Sequence, residues 1–456
     1  MVHCFEQGNI KLALDVASGA VHLLDPVAYR LCTMLIPPLT ERCPEEFIKA
    51  LTPLTAAEIQ EAYSELYSLY QEGLLFSEEE QLPESLIKPA ESPIKALCLH
   101  VSHDCNLRCS YCFAQTGDFG TVRSLMDAET ARKAIDFVIE HSGKRRNIEV
   151  DFFGGEPLMA MDTVRETVKY AREQACKYDK QFRFTITTNG VLLTDDTIEY
   201  LNREMSNIVL SLDGRKQVND DMRKTVTGGG SYDMVLPKMQ KLVQNRSPEK
   251  DYYVRGTYTA KNLDFVEDVL ALYHAGFDQI SVEPVTAPDG CGYEIKQSDL
   301  PRIRDEYHKL AQTMAEMRKK GTGFNFFHFN VDLEQGPCVI KRLRGCGAGC
   351  EYVAVTPEGD IYPCHQFVGE KDYYMGNVKN GSFSREQARE FAGVNVYTRP
   401  ACRDCWAKYY CSGGCSAANY HAHGRIDQSY EIGCELEKMR LECALYLAAL
   451  DSLEKE

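Results

Sequence analysis

The fold of this chain is set by residues 94–113, IKALCLHVSHDCNLRCSYCF, where an apolar, strand-like run leads directly into three thiols. Cys105, Cys109 and Cys112 are separated by three and then two residues. One disulfide cannot use three cysteines, and structural zinc sites usually take four ligands in paired Cys-x2-Cys units. Thiolates also hold iron–sulfur clusters, and a cluster with three protein ligands leaves one iron free to bind another molecule. The stretch therefore predicts a reactive metal centre at the end of a strand.

The composition is that of a large globular chain with room for two or three domains. Its 456 residues are 44% hydrophobic and 26% charged, and no apolar run approaches the length of a membrane span. The first residues lack a basic segment followed by a hydrophobic run and a cleavage site, so we expect a cytoplasmic protein. A net charge of -16 argues against nonspecific binding to nucleic acid. We therefore expect neither a membrane nor a nucleic acid as a partner.

Cysteine is unusually frequent for a chain expected in a reducing compartment, with 19 residues in all. In such a compartment metal ligation or catalysis is a more common use of cysteine than a structural disulfide. Nine of the cysteines fall between residues 338 and 434: Cys338, Cys346, Cys350, Cys364, Cys402, Cys405, Cys411, Cys415 and Cys434. This region is rich in loops, so we expect thiolate-bound metal to stabilise it.

Strand and helix patterns alternate between residues 94 and 290. The strand candidates are IKALCLHVS, IEVDFFGG, FRFTITTNG, NIVLSLDG, YYVRGTYT and QISVEPV. Amphipathic segments such as residues 127–143 and 161–178 lie between them. Repeated βα units form parallel sheets whose chemistry gathers at the carboxyl ends of the strands. The pattern therefore predicts an α/β fold with a partial (β/α)6, TIM-like barrel over residues 94–325.

Two further regions flank the predicted barrel. Residues 1–80 combine two short strands, turned at ASG, with a helical run that ends at Gly73, which is typical of a small winged-helix module. Residues 81–93 are rich in Glu, Pro and Ser and are interpreted as a linker. Residues 326–456 carry a hairpin, YVAVTPEGDIYPC, and a final helix that begins near residue 435. A DNA-binding winged helix is the alternative for the first module, but bases do not outnumber acids in its helical segments.

The Cys-x3-Cys-x2-Cys motif, with Tyr111 before its last cysteine, resembles that of radical S-adenosylmethionine (SAM) enzymes. Three runs at predicted strand ends support the resemblance: GGEP at 154–157, TTNG at 187–190 and SLDG at 211–214. The resemblance implies a 4Fe–4S cluster on the three cysteines whose fourth iron is chelated by SAM. It also implies SAM contacts from Tyr111, Gly154, Gly155, Glu156, Pro157, Thr188, Asn189, Ser211, Asp213, Arg223 and Arg255. An ordinary turn is the alternative for GGEP.

The cysteines after residue 338 resemble those of a SPASM domain, which binds two auxiliary 4Fe–4S clusters. By this resemblance, the distal cluster is held by Cys402, Cys405, Cys411 and Cys434, and the proximal cluster by Cys346, Cys364 and Cys415. Cys338, Cys350 or a substrate thiolate could supply the fourth proximal ligand. Zinc ligation is the alternative, although it leaves the first motif unexplained. With the SAM-binding cluster, the resemblance implies three 4Fe–4S clusters in all.

The whole layout resembles radical SAM/SPASM peptide maturases, most of all the thioether-forming type that acts on six-cysteine (SCIFF) peptides, the CteB type. The resemblance implies that residues 1–80 capture the leader of a Cys-rich precursor peptide as an added strand. It implies that a 5′-deoxyadenosyl radical then starts formation of a thioether between a cysteine sulfur and the carbon of a threonine or another residue. A flavodoxin- or ferredoxin-type protein is expected to donate electrons.

Three other outcomes would use similar parts: oxidation of Cys or Ser to formylglycine as in anaerobic sulfatase maturases, peptide epimerisation, and carbon–carbon crosslinking. Sulfatase maturases carry an Asp after the hairpin cysteine, where this chain reads PCHQF. His365 in that run is a candidate catalytic base. A lone histidine beside a cluster is more often a hydrogen-bond donor to its surroundings, and this reading also stays open.

Overall fold

The computed structural model describes residues 1–333 and 339–453. These residues form a 3-stranded, an 11-stranded and a 2-stranded β-sheet. Among them, no helix combines the length and the apolar character that crossing a bilayer requires.

The first 87 residues form a small antiparallel sheet with helices packed against it. Its elements are β1 (Val2–Gln7), β2 (Ile10–Asp15), β3 (Val21–Leu24), α1 (Pro26–Cys32), α2 (Glu45–Ala50), α3 (Ala56–Gln71) and, in the predicted linker, α4 (Glu84–Ile87). The sheet order is β1-β2-β3, so β1 is a strand that the sequence prediction missed. Helix α3 begins at a capping box between Thr55 and Glu58, and the chain turns at Gly73, whose φ is +71°.

The central region alternates strands and helices as predicted. Its elements are β4 (Ala96–Ser102), β5 (Leu107–Cys109), α5 (Ala128–His141), β6 (Asn147–Gly154), α6 (Met161–Tyr178), β7 (Gln181–Thr188), α7 (Asp195–Glu204), β8 (Asn207–Ser211), α8 (Lys216–Met222), β9 (Arg223–Thr225), α9 (Tyr232–Gln244), β10 (Asp251–Tyr258), α10 (Phe265–His274), β11 (Gln279–Pro284), α11 (Leu300–Lys319) and β12 (Asn325–Phe326). All six predicted strands are confirmed. Strands β4, β6, β7, β8, β10 and β11 pair in parallel in that order.

The two faces of this sheet differ in what covers them. Alternate residues such as Val150 and Val254 are fully buried in one large core with helices α5, α6, α7, α9, α10 and α11. The residues between them, such as Asp151 and Arg255, point the other way. We call this second side the inner face. Because the carboxyl ends of parallel strands share one edge, the loops after β4, β6, β7 and β8 meet beside the inner face.

The C-terminal region contains short elements and one long helix. These are α12 (Val339–Arg342), β13 (Tyr352–Val355), β14 (Asp360–Tyr362), β15 (Gly376–Asn377), β16 (Ser382–Phe383), α13 (Arg385–Gly393), α14 (Pro400–Arg403), α15 (Lys408–Cys411), α16 (Ser416–His423) and α17 (Glu431–Leu453). The predicted hairpin is confirmed as β13 and β14. It does not stand apart, however, because β13 pairs in parallel with β4 and extends the central sheet.

A second pairing that sequence patterns missed lies in the cysteine loop. Strand β5 pairs with β9 as an antiparallel ribbon, and Cys109 is in register with Arg223. Three-residue strands carry too little alternation to be recognised in sequence. The ribbon fixes the middle of the cysteine loop to the segment after β8.

The N-terminal sheet packs on the C-terminal region. Phe5, Leu12 and Leu14 share a buried cluster with Ala407 and Leu441. The ring of His3 stacks on the chain's single tryptophan, Trp406, with 3.7 Å between ring centroids and 4° between planes. Residues 1–80 are therefore joined to the cysteine-rich end of the chain.

Candidate metal and cofactor centre

The three cysteines of the first motif lie on the loop after β4 and are partly buried. The loop folds tightly on itself: a Cβ atom on Gly117, where φ is +92°, would lie 2.5 Å from the Cβ of Cys105. Glycine is therefore required there for both space and backbone conformation. The β5–β9 ribbon holds Cys109 from the other side.

Burial keeps these thiols protonated in the metal-free chain. It raises the pKa of Cys105 to about 12 and that of Cys109 to about 11, and it raises the pKa of Cys112 as well. Each thiol also lies within electrostatic reach of another member of the set. Binding of a metal group would therefore release protons and stabilise the loop.

No group of three or more His, Cys, Asp or Glu side chains within residues 1–333 and 339–453 is placed to hold one metal ion. The fit to an iron–sulfur cluster therefore depends on the chemistry of the donors. Three soft thiols on one loop suit such a cluster and leave one coordination position to another ligand.

The GGEP run packs its backbone against the cysteine loop. Gly154 has a φ of +125°, and a Cβ atom there would overlap the Ser102 carbonyl. A Cβ on Gly155 would lie 2.6 Å from the carbonyl carbon of Asp104 and 2.8 Å from the oxygen of Gly117. The two glycines thus allow the end of β6 to touch the loop. Pro157 is buried and begins the next turn.

Glu156 is buried and joins two strand ends. Its carboxylate accepts hydrogen bonds from Thr188 Oγ1 at 2.7 Å, the Asn189 backbone N–H at 2.8 Å and the Leu158 backbone N–H at 3.0 Å. Burial raises the pKa of this carboxyl to about 7 despite these donors. Asn189 in turn donates from Nδ2 to Asn106 Oδ1 at 2.8 Å. GGEP and TTNG therefore position the cysteine loop from two sides.

Tyr111, Asp213 and Arg223 form a buried group beside Cys109. The Tyr111 hydroxyl donates to Asp213 Oδ2 at 2.6 Å, and Arg223 Nε donates to Asp213 Oδ1 at 3.0 Å. The guanidinium of Arg223 lies over the Tyr111 ring, 5.5 Å from its centroid. Asp213 is fully buried, so its charge is balanced within this group. The group links the SLDG run to the cysteine loop.

The other two predicted SAM contacts lie on neighbouring strands. Ser211 ends β8, and Arg255 on β10 is in register with it. Arg255 forms an ion pair with Glu283 on β11. The structure thus places Arg255 with Glu283, one strand away from the group formed by Tyr111, Asp213 and Arg223.

The cysteines assigned to the distal cluster are electrostatic neighbours. Burial, reinforced by neighbouring thiols of the set, raises the pKa of Cys411 to about 12 and that of Cys434 to about 11. The pKa of Cys402 is raised by burial and by Cys405. The buried guanidinium of Arg399, which the sequence analysis missed, lies within reach of four thiols: Cys402, Cys411, Cys415 and Cys434. A positive charge at this position would stabilise thiolates of both auxiliary sets.

The three assigned proximal ligands are also neighbours. Burial, with Cys415 and Cys346 nearby, raises the pKa of Cys364. Cys350 is buried close to Cys346, its pKa is raised to about 12, and its thiol donates to the Gly347 carbonyl at 3.5 Å. Cys338, the other candidate for the fourth ligand, lies outside the described residues.

His365 follows Cys364 and is surrounded by aromatic rings. Its ring centroid lies 4.9 Å from that of Phe153 and 5.4 Å from that of Phe113, and its Nδ1 is 3.4 Å from the Tyr352 hydroxyl. Burial, aided by the positive charge of Arg255, lowers the pKa of His365 to about 4. The imidazole is therefore neutral near pH 7 and could accept a proton or donate one hydrogen bond.

Matches to known proteins agree with this geometry. The radical SAM superfamily matches residues 99–275, and the iron–sulfur cluster-binding SPASM domain matches residues 346–406. The radical SAM cyclopropyl synthase TigE of Paramaledivibacter caminithermalis is 25% identical over 363 residues, which cover 76% of this chain and 73% of TigE.

Two solved structures share the fold. Native anSMEcpe with bound AdoMet and Cp18Cys peptide has a TM-score of 0.64 and 18% identity, and the match covers 79% of this chain and 100% of that one. Streptococcus suis SuiB bound to precursor peptide SuiA has a TM-score of 0.54 and 16% identity, and the match covers 93% of this chain and 96% of SuiB. This chain therefore combines a radical SAM domain with a SPASM iron–sulfur domain on one α/β fold.

Proposed function

We propose that this protein is a peptide maturase that forms an intramolecular thioether in a Cys-rich, ribosomally made precursor peptide. One observation carries the proposal: the hairpin that bears Cys364 adds directly to β4, the strand that leads into the Cys105 loop. A SAM-binding cluster and a proximal cluster held by these loops would face one shared space beside the inner face. A peptide lying there could meet both.

The residues around the first motif fit SAM. We assign Cys105, Cys109 and Cys112 to the cluster, the backbone of the GGEP run to the SAM ammonium, and Ser211 with Arg223 to its carboxylate. When bound, the cofactors would supply a 5′-deoxyadenosyl radical for hydrogen abstraction from a peptide carbon and an acceptor for the electron left after the sulfur–carbon bond forms. Overall, the peptide loses two hydrogens, of which one goes to 5′-deoxyadenosine and the other leaves as the thiol proton.

The protein's own groups hold the peptide and exclude water. Phe113 and Phe153 flank His365 at the proximal side of the shared space. These rings would keep solvent from a reactive carbon. We assign to the neutral His365 acceptance of the proton of a substrate thiol that approaches Cys364, or donation of a hydrogen bond there.

The N-terminal module is assigned to the peptide's leader. Strand β3 pairs with β2 alone among the strands of the described chain, so its outer edge is available to an added strand. SuiB, whose structural match covers 93% of this chain, binds a precursor peptide, SuiA. Together these support leader capture by residues 1–80, with residues 81–93 as linker, 94–325 as radical SAM domain and 326–456 as SPASM domain.

A flavodoxin- or ferredoxin-type donor is assigned to the distal side. A surface cavity of about 610 Å³ is lined by two cysteines of the distal set, Cys405 and Cys434. Electron exchange at this cavity would not interfere with the peptide. The donor is expected in the same compartment, the cytoplasm.

The test uses anaerobically reconstituted protein, SAM, a reductant and the Cys-rich peptide expected from a small open reading frame beside the gene. Thioether formation predicts a loss of two hydrogens together with one alkylatable thiol for each crosslink. A carbon–carbon crosslink would lose two hydrogens and keep the thiols, and epimerisation would leave the mass unchanged. Formylglycine formed from Cys would lose two hydrogens and have oxygen in place of the sulfur. A variant with Ala at Cys105, Cys109 and Cys112 is the control. Modified peptide from that variant, or an unchanged peptide from the wild type, would refute the proposal.

A further inference from the structure

A charged pair lies on the inner face, in the carboxyl-terminal halves of two neighbouring strands. Arg255 on β10 and Glu283 on β11 form a salt bridge there. Their neighbours Val254 and Val282 are fully buried among the helices, so both charged side chains lie on the inner face, toward the proposed shared space.

His328 and Arg440 hold Glu283 in position. His328 Nε2 lies 3.7 Å from its carboxylate and 3.0 Å from the Ser281 hydroxyl. Arg440 on α17 holds the other side of the His328 ring, with NH1 3.3 Å from Nδ1. Burial would raise the pKa of Glu283, but the guanidinium of Arg255 holds it below its ordinary value. Glu283 is therefore a fixed anion that orients Arg255.

Arg255 keeps most of its donors free. A guanidinium has five N–H donors, and within the described chain the hydrogen bond of Arg255 goes to Glu283. The Arg255 side chain is 45% exposed, more than the 30% of Glu283. Its positive charge reaches His365, which lies on the proximal side of the same space. Free, oriented donors at such a place suit carbonyl or carboxylate oxygens.

The alternative is that Arg255 binds the SAM carboxylate, as the family resemblance implies. A second arginine is better placed for that role. Arg223 contacts Tyr111 and lies beside Cys109 of the cluster loop. Arg255 is instead paired with Glu283 on β11, the strand that lies on the far side of β10 from β8.

We propose that Arg255, oriented by Glu283, is a specificity-determining residue that binds carbonyl or carboxylate oxygens of the peptide segment presented to the radical. This assignment depends on the proposed function, and it adds the protein group that would hold the reacting segment between the SAM side and His365. Arg255 acts on the peptide, and Glu283 is a positioning residue.

The test compares wild type with R255Q and the control R183Q, using the same precursor peptide. Arg183 is also a guanidinium on the inner face, but it lies at the opposite end of its strand, with Glu149 and Asp251. Two rates are measured: 5′-deoxyadenosine formation without peptide, and crosslinked product with peptide. R255Q is expected to lower kcat/KM for the peptide by roughly 10- to 100-fold, the effect of losing a hydrogen bond from a charged group. Peptide-free SAM cleavage and the R183Q values should stay near wild type.

The Glu283 role needs its own readout. E283Q keeps the Arg255 charge but loses the fixed anion, so KM for the peptide should rise while kcat and peptide-free cleavage are retained. R255K, which keeps the charge and loses the planar fork, should recover part of the kcat/KM lost in R255Q. Iron content and far-UV circular dichroism show whether each variant is folded and loaded.

Three results would overturn the assignment. Peptide modification by R255Q at the wild-type rate would show that Arg255 does not hold the peptide. An equal loss of peptide-free SAM cleavage would assign Arg255 to SAM. A wild type that cleaves SAM and leaves the peptide unchanged would refute the proposed function itself, and the assignment with it.

Discussion

Replacement of Gly155 by Ala tests the packing of the GGEP run against the cysteine loop. A Cβ at this position would overlap the Asp104 carbonyl oxygen and lie 2.6 Å from its carbon, whereas ordinary contacts begin near 3.4 Å, so the backbone must move by at least about 0.8 Å. The neighbours are backbone atoms that cannot rotate away. Overpacking of this kind costs about 1–3 kcal/mol. Because Asp104 precedes Cys105, the strain would also displace the first motif.

The effect on SAM chemistry should exceed the effect on stability. A displacement near 1 Å can lower a rate by about 100-fold. We therefore expect G155A to lose at least that factor in 5′-deoxyadenosine formation. If the first of the three proposed clusters is lost altogether, iron and sulfide per chain should fall by about a third, since thiolate sites and their loops form together.

Gly393 provides the matched control. It lies in α13, and a Cβ atom there would meet nothing within 4 Å. G393A should keep wild-type iron content and SAM cleavage. The reasoning is refuted if G155A matches G393A in both measurements, because the close approach of β6 to the loop would then have no consequence.

Three further changes have expected outcomes. D213N removes the negative charge that balances the buried Arg223 guanidinium and should lower the free energy of unfolding by about 3–5 kcal/mol in denaturant titrations. A loss below about 1 kcal/mol would contradict the buried-pair interpretation. H3A removes the ring stacked on Trp406. It should lower the free energy of unfolding by about 0.5–1.5 kcal/mol and shift tryptophan emission to the red. Unchanged emission would contradict the packing of the N-terminal sheet on Trp406. Burial raises the pKa of Asp151 from 3.8 to about 7. Between pH 5 and 7 the folded chain therefore keeps a proton that the unfolded chain has lost, so the free energy of unfolding should fall as the pH rises. D151N should flatten this slope, and an unaltered slope would contradict the raised pKa of Asp151.

The parallel strands could be predicted because each carries its own signal. Runs such as FRFTITT alternate, are rich in β-branched and aromatic residues, and are bounded by turn residues. The pairing of β13 with β4 joins residues far apart in the chain and depends on backbone groups that every residue has. The β5–β9 ribbon has only three residues on each side, too few for a periodic pattern. Strand pairings of these two kinds are determined by the assembly of the rest of the fold.

The grouping of the thiols was predictable from spacing, and the roles of their neighbours were not. Glu156 belongs to a motif assigned to SAM, yet its carboxylate accepts hydrogen bonds from Thr188 and Asn189 of the chain itself. Arg223 and Arg255 looked equivalent in sequence, and only their partners, Asp213 and Glu283, separate them. Burial and the identity of hydrogen-bond and ion-pair partners depend on the assembled sheet, so a local sequence pattern does not predict them.

The docking of the N-terminal sheet has a consequence for how the chain is divided. Val16 shares a buried cluster with Cys402 and Tyr409, and Lys408 and Tyr409 both contact Glu79. Residues 1–80 therefore pack over part of the distal thiol set. Removing those residues would expose apolar surface and a cluster loop together, because apolar burial and metal ligation stabilise the same segment. The proposed leader-binding module is thus also structural support for the distal site. If leader binding changes the packing of this module, Trp406 and the cysteines beside it are the first residues whose surroundings change.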